Sequence, residues 1–295
     1  MRLLLTGKNG QLGFELQRSL APLGRITAVD SADCDLSKPD DIRRLIRTAS
    51  PDIIINPAAY TAVDQAESQP DIALAVNAQA PAVLGHEAAK LGIPVVHFST
   101  DYVFDGTKTT PYREDDPTAP LGAYGRSKRD GETALQSATP RHLILRTSWV
   151  FGAHGQNFAK TMLRLAQERT ELRVVADQIG APTSAPLLAD LTAHLVRQMQ
   201  TKGTKDFPFG LYHVSATGAT NWCEYARHVL NAAIIKGYRL NVGPGQVIPI
   251  ASEEYPTLAR RPKNSQLDTS KFTSTFGLTL PEWQLGLNHI LQQIL

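Results

Sequence analysis

The sequence predicts an α/β protein with a doubly wound parallel sheet and a smaller α/β C-terminal portion. Three observations carry this expectation. Short apolar runs alternate with helical periodicity through the first half of the chain. One run, Ile53-Ile54-Ile55, is a continuous β-branched stretch of the kind buried on both faces of a parallel sheet. Glycines at 7, 10 and 13 stand between the first apolar run and the first helical pattern.

The elements follow in order. Residues 2–6 read as a buried strand. Residues 10–20 read as a helix, with Leu12, Leu16 and Leu20 on one face. A second strand spans 26–30. Ser37 is the expected N-cap of the next helix, ahead of Pro39 and Asp40. Residues 52–56 form the third strand, 70–91 a long helical stretch, 94–99 the fourth strand, 125–137 a helix and 142–147 the fifth strand. Beyond about Phe151 the pattern loosens. Helices near 157–168, 186–200 and 220–236 are separated by Pro/Gly turns, and 255–267 reads as a loop before a closing helix. The expected division is a first unit at 1–150 and a second at 151–295, with the chain crossing between them more than once.

The bulk properties are those of a globular protein: 42% hydrophobic, 20% charged, formal net charge +2 over 295 residues. Lys and Arg are scattered, so no basic stripe points to nucleic acid. No segment approaches the ~20 apolar residues that cross a bilayer. The N-terminal apolar run is too short for a signal peptide, and a cytoplasmic location is expected. The two cysteines, Cys34 and Cys223, have no metal-type spacing and read as free thiols.

Residues 6–13, TGKNGQLG, place Gly7, Gly10 and Gly13 where a strand turns into a helix. A tight turn needs glycine, and backbone N–H groups at a helix N-terminus suit a pyrophosphate. This is the signature of a Rossmann-type dinucleotide site. Asp30 ends the second strand, where a carboxylate accepts the adenosine ribose hydroxyls and favours NADH. Lys8 and Arg25 act the other way, so the expected cofactor is NADPH or NADH. Asp35 and Leu36 are placed to flank the adenine. Ala58, Ala59, Tyr60 and Thr61 follow the third strand, where small residues let a cofactor lie against the backbone.

Tyr124 and Lys128 form YxxxK on one helix face. A nearby ammonium favours the phenolate, so Lys128 is expected to lower the pKa of Tyr124 and to hold the nicotinamide ribose. Thr100 ends the fourth strand, at the sheet edge where open α/β folds bind ligands, and is placed to hydrogen-bond a reacting carbonyl beside Tyr124. His97, inside an apolar strand, reads as a core histidine. Asp115-Asp116 and Glu253-Glu254 read as solvated loop charges, and no protein-built metal site is expected.

The blocks TGKNGQLG, NPAAYTAVDQAE, STDYVFDG, YGRSK, RTSWVFG, DQIGAPT and ARRPKNS together resemble the dTDP-4-dehydrorhamnose reductase family of extended short-chain dehydrogenases/reductases. They span residues 6–265, well beyond a shared cofactor unit. The resemblance implies NAD(P)H-dependent reduction of a 4-keto sugar attached to dTDP, with Tyr124 donating the proton, Lys128 supporting it and Thr100 polarising the carbonyl. It implies cofactor contacts at Gly10, Gln11, Leu12, Asp30, Asp35, Leu36, Ala59, Tyr60 and Thr61. It implies sugar-nucleotide contacts at Thr100, Asp101 and Trp149. Arg260, beside Arg261, suits the diphosphate through permanently charged, bidentate contacts. For some members the family implies a Mg²⁺-bridged homodimer. Glu15 is present, but Pro186 and Gln293 stand at the positions aligned with the other acids and offer no carboxylate. Monomer and homodimer both stay open.

Two other functions compete. Another nucleotide-sugar enzyme of this fold, an epimerase or 4,6-dehydratase, shares the cofactor unit, but Tyr102 and Val103 stand where a dehydratase carries an extra acid. A non-catalytic partner of S-adenosylmethionine synthetase has no need of Thr100, Tyr124 and Lys128, all of which are intact.

Overall fold

A computed structural model describes residues 1–295. In the first half, β1 (Arg2–Leu5), α1 (Gln11–Leu20), β2 (Arg25–Ala28), α2 (Pro39–Ala49) and β3 (Ile53–Asn56) alternate as the hydrophobic pattern requires. α3 (Val63–Ser68) and α4 (Pro70–Leu74) follow, then a π-helical turn at Ala75–Gln79 and α5 (Ala80–Leu91), so the helical stretch expected at 70–91 is interrupted in its middle. β4 (Val95–Thr100), α6 (Ala123–Ala138) and β5 (His142–Thr147) complete this half. The second half runs β6 (Val150–Phe151), α7 (Phe158–Glu168), β7 (Leu172–Val175), β8 (Ile179–Gly180), β9 (Thr183–Ser184), α8 (Ala185–Lys202), β10 (Gly210–His213), β11 (Thr220–Asn221), α9 (Trp222–Ile235), β12 (Val247–Ile250), α10 (Ser270–Phe276) and α11 (Trp283–Ile294).

Six parallel strands form the central sheet in the order β10-β5-β4-β3-β1-β2. β3 is buried along its whole length, as its run of isoleucines requires. Leu3, Leu5, Ile53 and Ile55 face one core with Leu12, Leu16 and Leu20 of α1 and Leu188 and Leu195 of α8. Leu4 and Ile54 face the other core, with Ile42, Ile46, Leu84 and Leu135. Two helices of the chain's second half, α9 and α11, close further apolar clusters around Tyr225 and Trp283. The second half also returns to the first: β10 pairs with β5, and α8 packs on α1. Strand order reverses at β1, which leaves a crevice at the carboxyl ends of β1 and β3.

One cap differs from expectation. Ser37 does not cap α2, whose N-cap is Lys38. Asp35 takes both the amide and the hydroxyl of Ser37, at 3.0 and 2.7 Å, in a tight local turn.

Inside the fold, Arg146 of β5 makes a bidentate pair with Glu132 of α6, at 2.8 and 2.7 Å, and both residues are buried. Arg146 also lies 5.0 Å over the ring of Phe104. The pair ties the helix that carries Tyr124 to the sheet. Glu132→Leu leaves the Arg146 guanidinium buried without its counter-ion, and is expected to lower stability by about 3–5 kcal/mol, read as a shift of the urea midpoint.

Candidate active site

The crevice opens into a cleft of about 680 Å³. At one end lies the glycine turn. Gly7 has φ +63°, and the Gly10 amide donates to the Gly7 carbonyl at 3.0 Å. A Cβ on Gly13 would stand 1.9 Å from the Gly7 oxygen, so only glycine lets α1 press onto the turn. Gly10 is different: a Cβ there meets only the Gly7 oxygen, at 3.4 Å, and the missing side chain leaves open cleft. Gly10 is also the N-cap of α1 and has no side chain to satisfy the helix's first N–H groups. These groups, on Gln11, Leu12 and Gly13, border the cleft.

Asp30, Asp35, Leu36, Ala59 and Thr61 line the same cleft. Asp30 accepts from the Asn9 side chain and from the Ala32 amide, the latter at 2.9 Å. Lys8 sits between two acids, 2.5 Å from Asp33 and 3.8 Å from Asp30. Arg25 does not join them, because it starts β2 at the opposite edge of the sheet. Tyr60 is not part of the cleft wall. Asn77 holds its backbone amide and carbonyl at 2.8 and 3.0 Å, its hydroxyl donates to Gln69 at 2.8 Å, and its ring packs with Ala66, Ala73 and Ala123.

The far end of the cleft collects Thr100, Asp101, Tyr124, Lys128 and Trp149. The Thr100 hydroxyl accepts from the Tyr102 amide at 3.2 Å and donates to Asp101 Oδ1 at 3.1 Å. Asp101 is 2% exposed, and burial pushes its pKa up to about 6, against the pull of Ser265 and Thr100. Its Oδ2 has no hydrogen-bond partner, and neither have the buried hydroxyls of Ser99 and Thr147 in the same wall. Buried polar atoms are seldom left unpaired, so these three oxygens mark a place built for a polar ligand.

Tyr124 stands one residue inside α6, its ring edge-on to Tyr102 at 5.6 Å. Burial pushes its phenol up to about 12; Thr100 opposes the rise and the Asp101 charge adds to it. This differs from the expectation that Lys128 lowers the tyrosine pKa. The Lys128 ammonium donates to the Phe98 carbonyl at 2.7 Å and lies 3.3 Å from His97 Nε2. Burial brings the lysine down to about 8, with Glu132 opposing. Tyr124 is therefore held as an acid, the form a proton donor needs.

Several residues here escaped the sequence reading. Glu67 accepts from the Ala123 amide at 2.7 Å and so fixes the start of α6 next to Tyr124. Ser127, bonded to Asn77 at 3.0 Å and to the Tyr124 carbonyl at 2.8 Å, steadies the same turn. The only signal for Glu67 and Asp64 was their place in the NPAAYTAVDQAE block. Trp149 has φ +48°, a strained backbone for so bulky a residue and one that clusters at functional sites. Its indole stacks on Trp222 at 3.7 Å, and a Cβ on Gly180 would fall 2.6 Å from it. Trp222 borders both the cleft and a second cavity of about 820 Å³. Arg260 lines that second cavity, not the first, and carries no ion pair, whereas Arg261 is held by Asp64 at 2.8 Å.

No set of three or more His, Cys, Asp or Glu side chains is grouped to hold a metal ion. Glu15 is bonded to Arg18 at 3.1 Å, and Pro186, the second residue of α8, has no ligand to offer.

A parallel sheet with a glycine turn at its switch point, and Thr100 at the end of the fourth strand sharing a cleft with Tyr124 and Lys128 of α6, define an extended short-chain dehydrogenase/reductase. The family model described as the RmlD substrate binding domain matches residues 1–295. The chain is 49% identical to dTDP-4-dehydrorhamnose reductase of Escherichia coli K12, over 100% of this chain and 98% of that protein. A crystal structure of a dTDP-4-dehydrorhamnose reductase from Clostridium acetobutylicum superposes with a TM-score of 0.90 at 34% identity, covering 99% of both chains. That of the Bacillus anthracis reductase, in complex with NADP, gives 0.89 at 35%, again over 99% of both. The chain belongs to the dTDP-4-dehydrorhamnose reductase family.

The Asp101 environment makes a stability prediction. A carboxyl with its folded pKa raised from 3.8 to about 6 binds more protons folded than unfolded between those values, so stability falls as pH rises through that window. Asp101→Asn removes the loss. The variant is expected to gain on the parent protein from about pH 4 to about pH 6, by up to about 3 kcal/mol, and to hold that gain above. Urea midpoints of both proteins across that range provide the check.

Proposed function

We propose that the protein reduces dTDP-4-dehydro-β-L-rhamnose to dTDP-L-rhamnose with NADPH or NADH, in the cytoplasm. The observation that carries this reading is the arrangement of one continuous cleft. A glycine turn lies at one end, the Thr100/Tyr124 pair at the other, and a cation-lined cavity opens beyond Trp222.

Residues 1–150 form the dinucleotide side and 151–295 mainly the sugar-nucleotide side, with α8 and β10 crossing back to complete the first. The N–H groups at Gln11, Leu12 and Gly13 hold the pyrophosphate, Asp30 the adenosine ribose, and Asp35, Leu36, Ala59 and Thr61 the adenine side. Lys128 holds the nicotinamide ribose. When bound, the reduced dinucleotide supplies the hydride to the carbonyl carbon.

The protein's own chemistry is the proton. Tyr124 gives its phenolic proton to the carbonyl oxygen, while Thr100 hydrogen-bonds the same oxygen and polarises it. Trp149 gives the sugar ring an apolar wall, and Asp101 accepts from a sugar hydroxyl through its free Oδ2. Arg260 reaches the diphosphate as a permanently charged donor.

The reading is tested by loss of nicotinamide absorbance with the 4-keto sugar nucleotide generated in the assay. Turnover that requires that sugar supports it, and no turnover from folded, cofactor-binding protein rejects it. Tyr124→Phe is expected to lower kcat roughly 10²–10⁴-fold while the dinucleotide Kd stays near that of the parent. In the same assay Lys8→Ala exposes a 2′-phosphate to both Asp30 and Asp33. It is expected to lower kcat/KM with NADPH by about tenfold, the worth of one charge-assisted hydrogen bond, and with NADH far less.

A further inference from the structure

Behind the cleft floor a row of buried polar side chains, three of which have no part in the reaction above, leads to Lys128. Thr6 Oγ1 is 2.6 Å from Asn56 Oδ1, Asn56 Nδ2 is 3.0 Å from His97 Nδ1, and His97 Nε2 is 3.3 Å from Lys128 Nζ. None of the four residues is more than 2% exposed. The row runs across β1, β3 and β4 to α6, joining the residue before the glycine turn to the lysine of YxxxK. An imidazole so deep in the sheet is costly unless both ring nitrogens are satisfied, and here both have partners.

The hydrogen-bond rules allow the row two states. A neutral imidazole has one donor nitrogen and one acceptor nitrogen. With Asn56 Nδ2 donating to Nδ1, the ring carries its proton on Nε2 and points it at Lys128 Nζ, which accepts only as a neutral amine. When Lys128 is an ammonium, Nε2 must accept. The ring proton then sits on Nδ1 and is donated to Asn56 Oδ1 after the amide turns over, and Asn56 Nδ2 donates to Thr6. Lys128 keeps its bond to the Phe98 carbonyl in both states, because amine and ammonium both donate. Burial, with the lysine charge adding, holds the His97 pKa well below its ordinary value, so the ring does not become imidazolium itself.

We propose that His97 is a positioning residue for Lys128: it stays neutral and exchanges tautomers when Lys128 gains or loses its proton, so that Nζ remains hydrogen-bonded at the cleft floor in either charge state. The significance for turnover rests on the role given to Lys128 above; the tautomer exchange itself does not. Few other groups act on this lysine. Tyr124 and Glu132 lie one turn away on its own helix, Glu132 is paired with Arg146 of β5, and Asp101 borders the cleft beyond β4. Thr6 also lines the cleft. In the ammonium state its hydroxyl becomes an acceptor for Asn56, and its own proton is free to turn toward the dinucleotide side.

The test is ¹⁵N NMR of the full chain labelled in the histidine rings, titrated from pH 6 to 10 without substrate, with His97→Gln identifying the His97 signals. The expected result is a pyrrole-type Nδ1 and pyridine-type Nε2 at the acid end, exchanging roles as Lys128 titrates, with no imidazolium. One tautomer throughout, or an imidazolium, overturns the proposal. Because no turnover is needed, this result is independent of whether the proposed substrate is correct.

Kinetics give the second readout. His97→Leu is expected to lower kcat roughly 10- to 100-fold, the worth of a hydrogen bond to a buried charge, with little change in KM. It should also move the basic limb of the pH–rate profile to lower pH, since the ammonium loses an acceptor. His97→Gln, whose amide both donates and accepts, should recover most of the loss. A folded His97→Leu with the parent's kcat and pH profile rejects the positioning role. If His97→Leu does not fold, the ring-nitrogen titration of the parent protein decides, by the outcomes given above.

Discussion

Burial of the six-stranded parallel sheet on both faces is the constraint on which the rest of this structure depends. Strands such as β3, apolar at every position, must be covered above and below, which commits α1 and α8 to one face and α2, α5 and α6 to the other. Groups that can meet a ligand are thereby placed at the strand ends, and the polar side chains left inside, such as His97 and the Arg146–Glu132 pair, are held in buried hydrogen bonds. The reversal of strand order at β1 then opens a crevice where the loops after β1, β3 and β4 meet, and Thr100 at the end of β4 and Tyr124 and Lys128 of α6 all line it.

A dry cleft floor has consistent electrostatic effects. Asp101 and Tyr124 rise in pKa and Lys128 falls, each because burial disfavours its charged form. The result differs from the simple picture of a lysine that makes its neighbouring tyrosine acidic. The tyrosine keeps its proton, and the lysine is held by a carbonyl and an imidazole at the cleft floor. Orphaned oxygens on Ser99, Asp101 and Thr147 show where the protein leaves hydrogen-bonding capacity unspent.

The two halves are coupled by more than chain connectivity. Asp64 of α3 takes Arg261 and the Ala259 amide from the C-terminal loop, and Glu67, one turn on, holds the first N–H of the Tyr124 helix. One short helix therefore anchors both the loop beside the second cavity and the start of α6. Trp149 and Trp222, brought from different halves, stack at the junction of the two cavities, with the Trp149 indole packed closely against Gly180.

Much of this was legible in the sequence, because it depends on local pattern. The alternation of apolar runs and helical periodicity located the strands of the first half to within a residue or two, and the spacing of Gly7, Gly10 and Gly13 identified the turn before any contact was known. Tyr124 and Lys128, four apart, had to share a helix face. What the sequence by itself determined was therefore the fold class, the cofactor turn and the set of reactive side chains. The tertiary structure alone decided their surroundings. Tyr60 turns its hydroxyl from the cleft to Gln69, Arg260 faces the second cavity, β10 returns to the central sheet, and His97 meets Lys128 across a gap of 31 residues. Periodicity records only which face of its own element a residue occupies; which elements become neighbours, and hence each group's partners and charge, is set by packing between segments far apart in the chain.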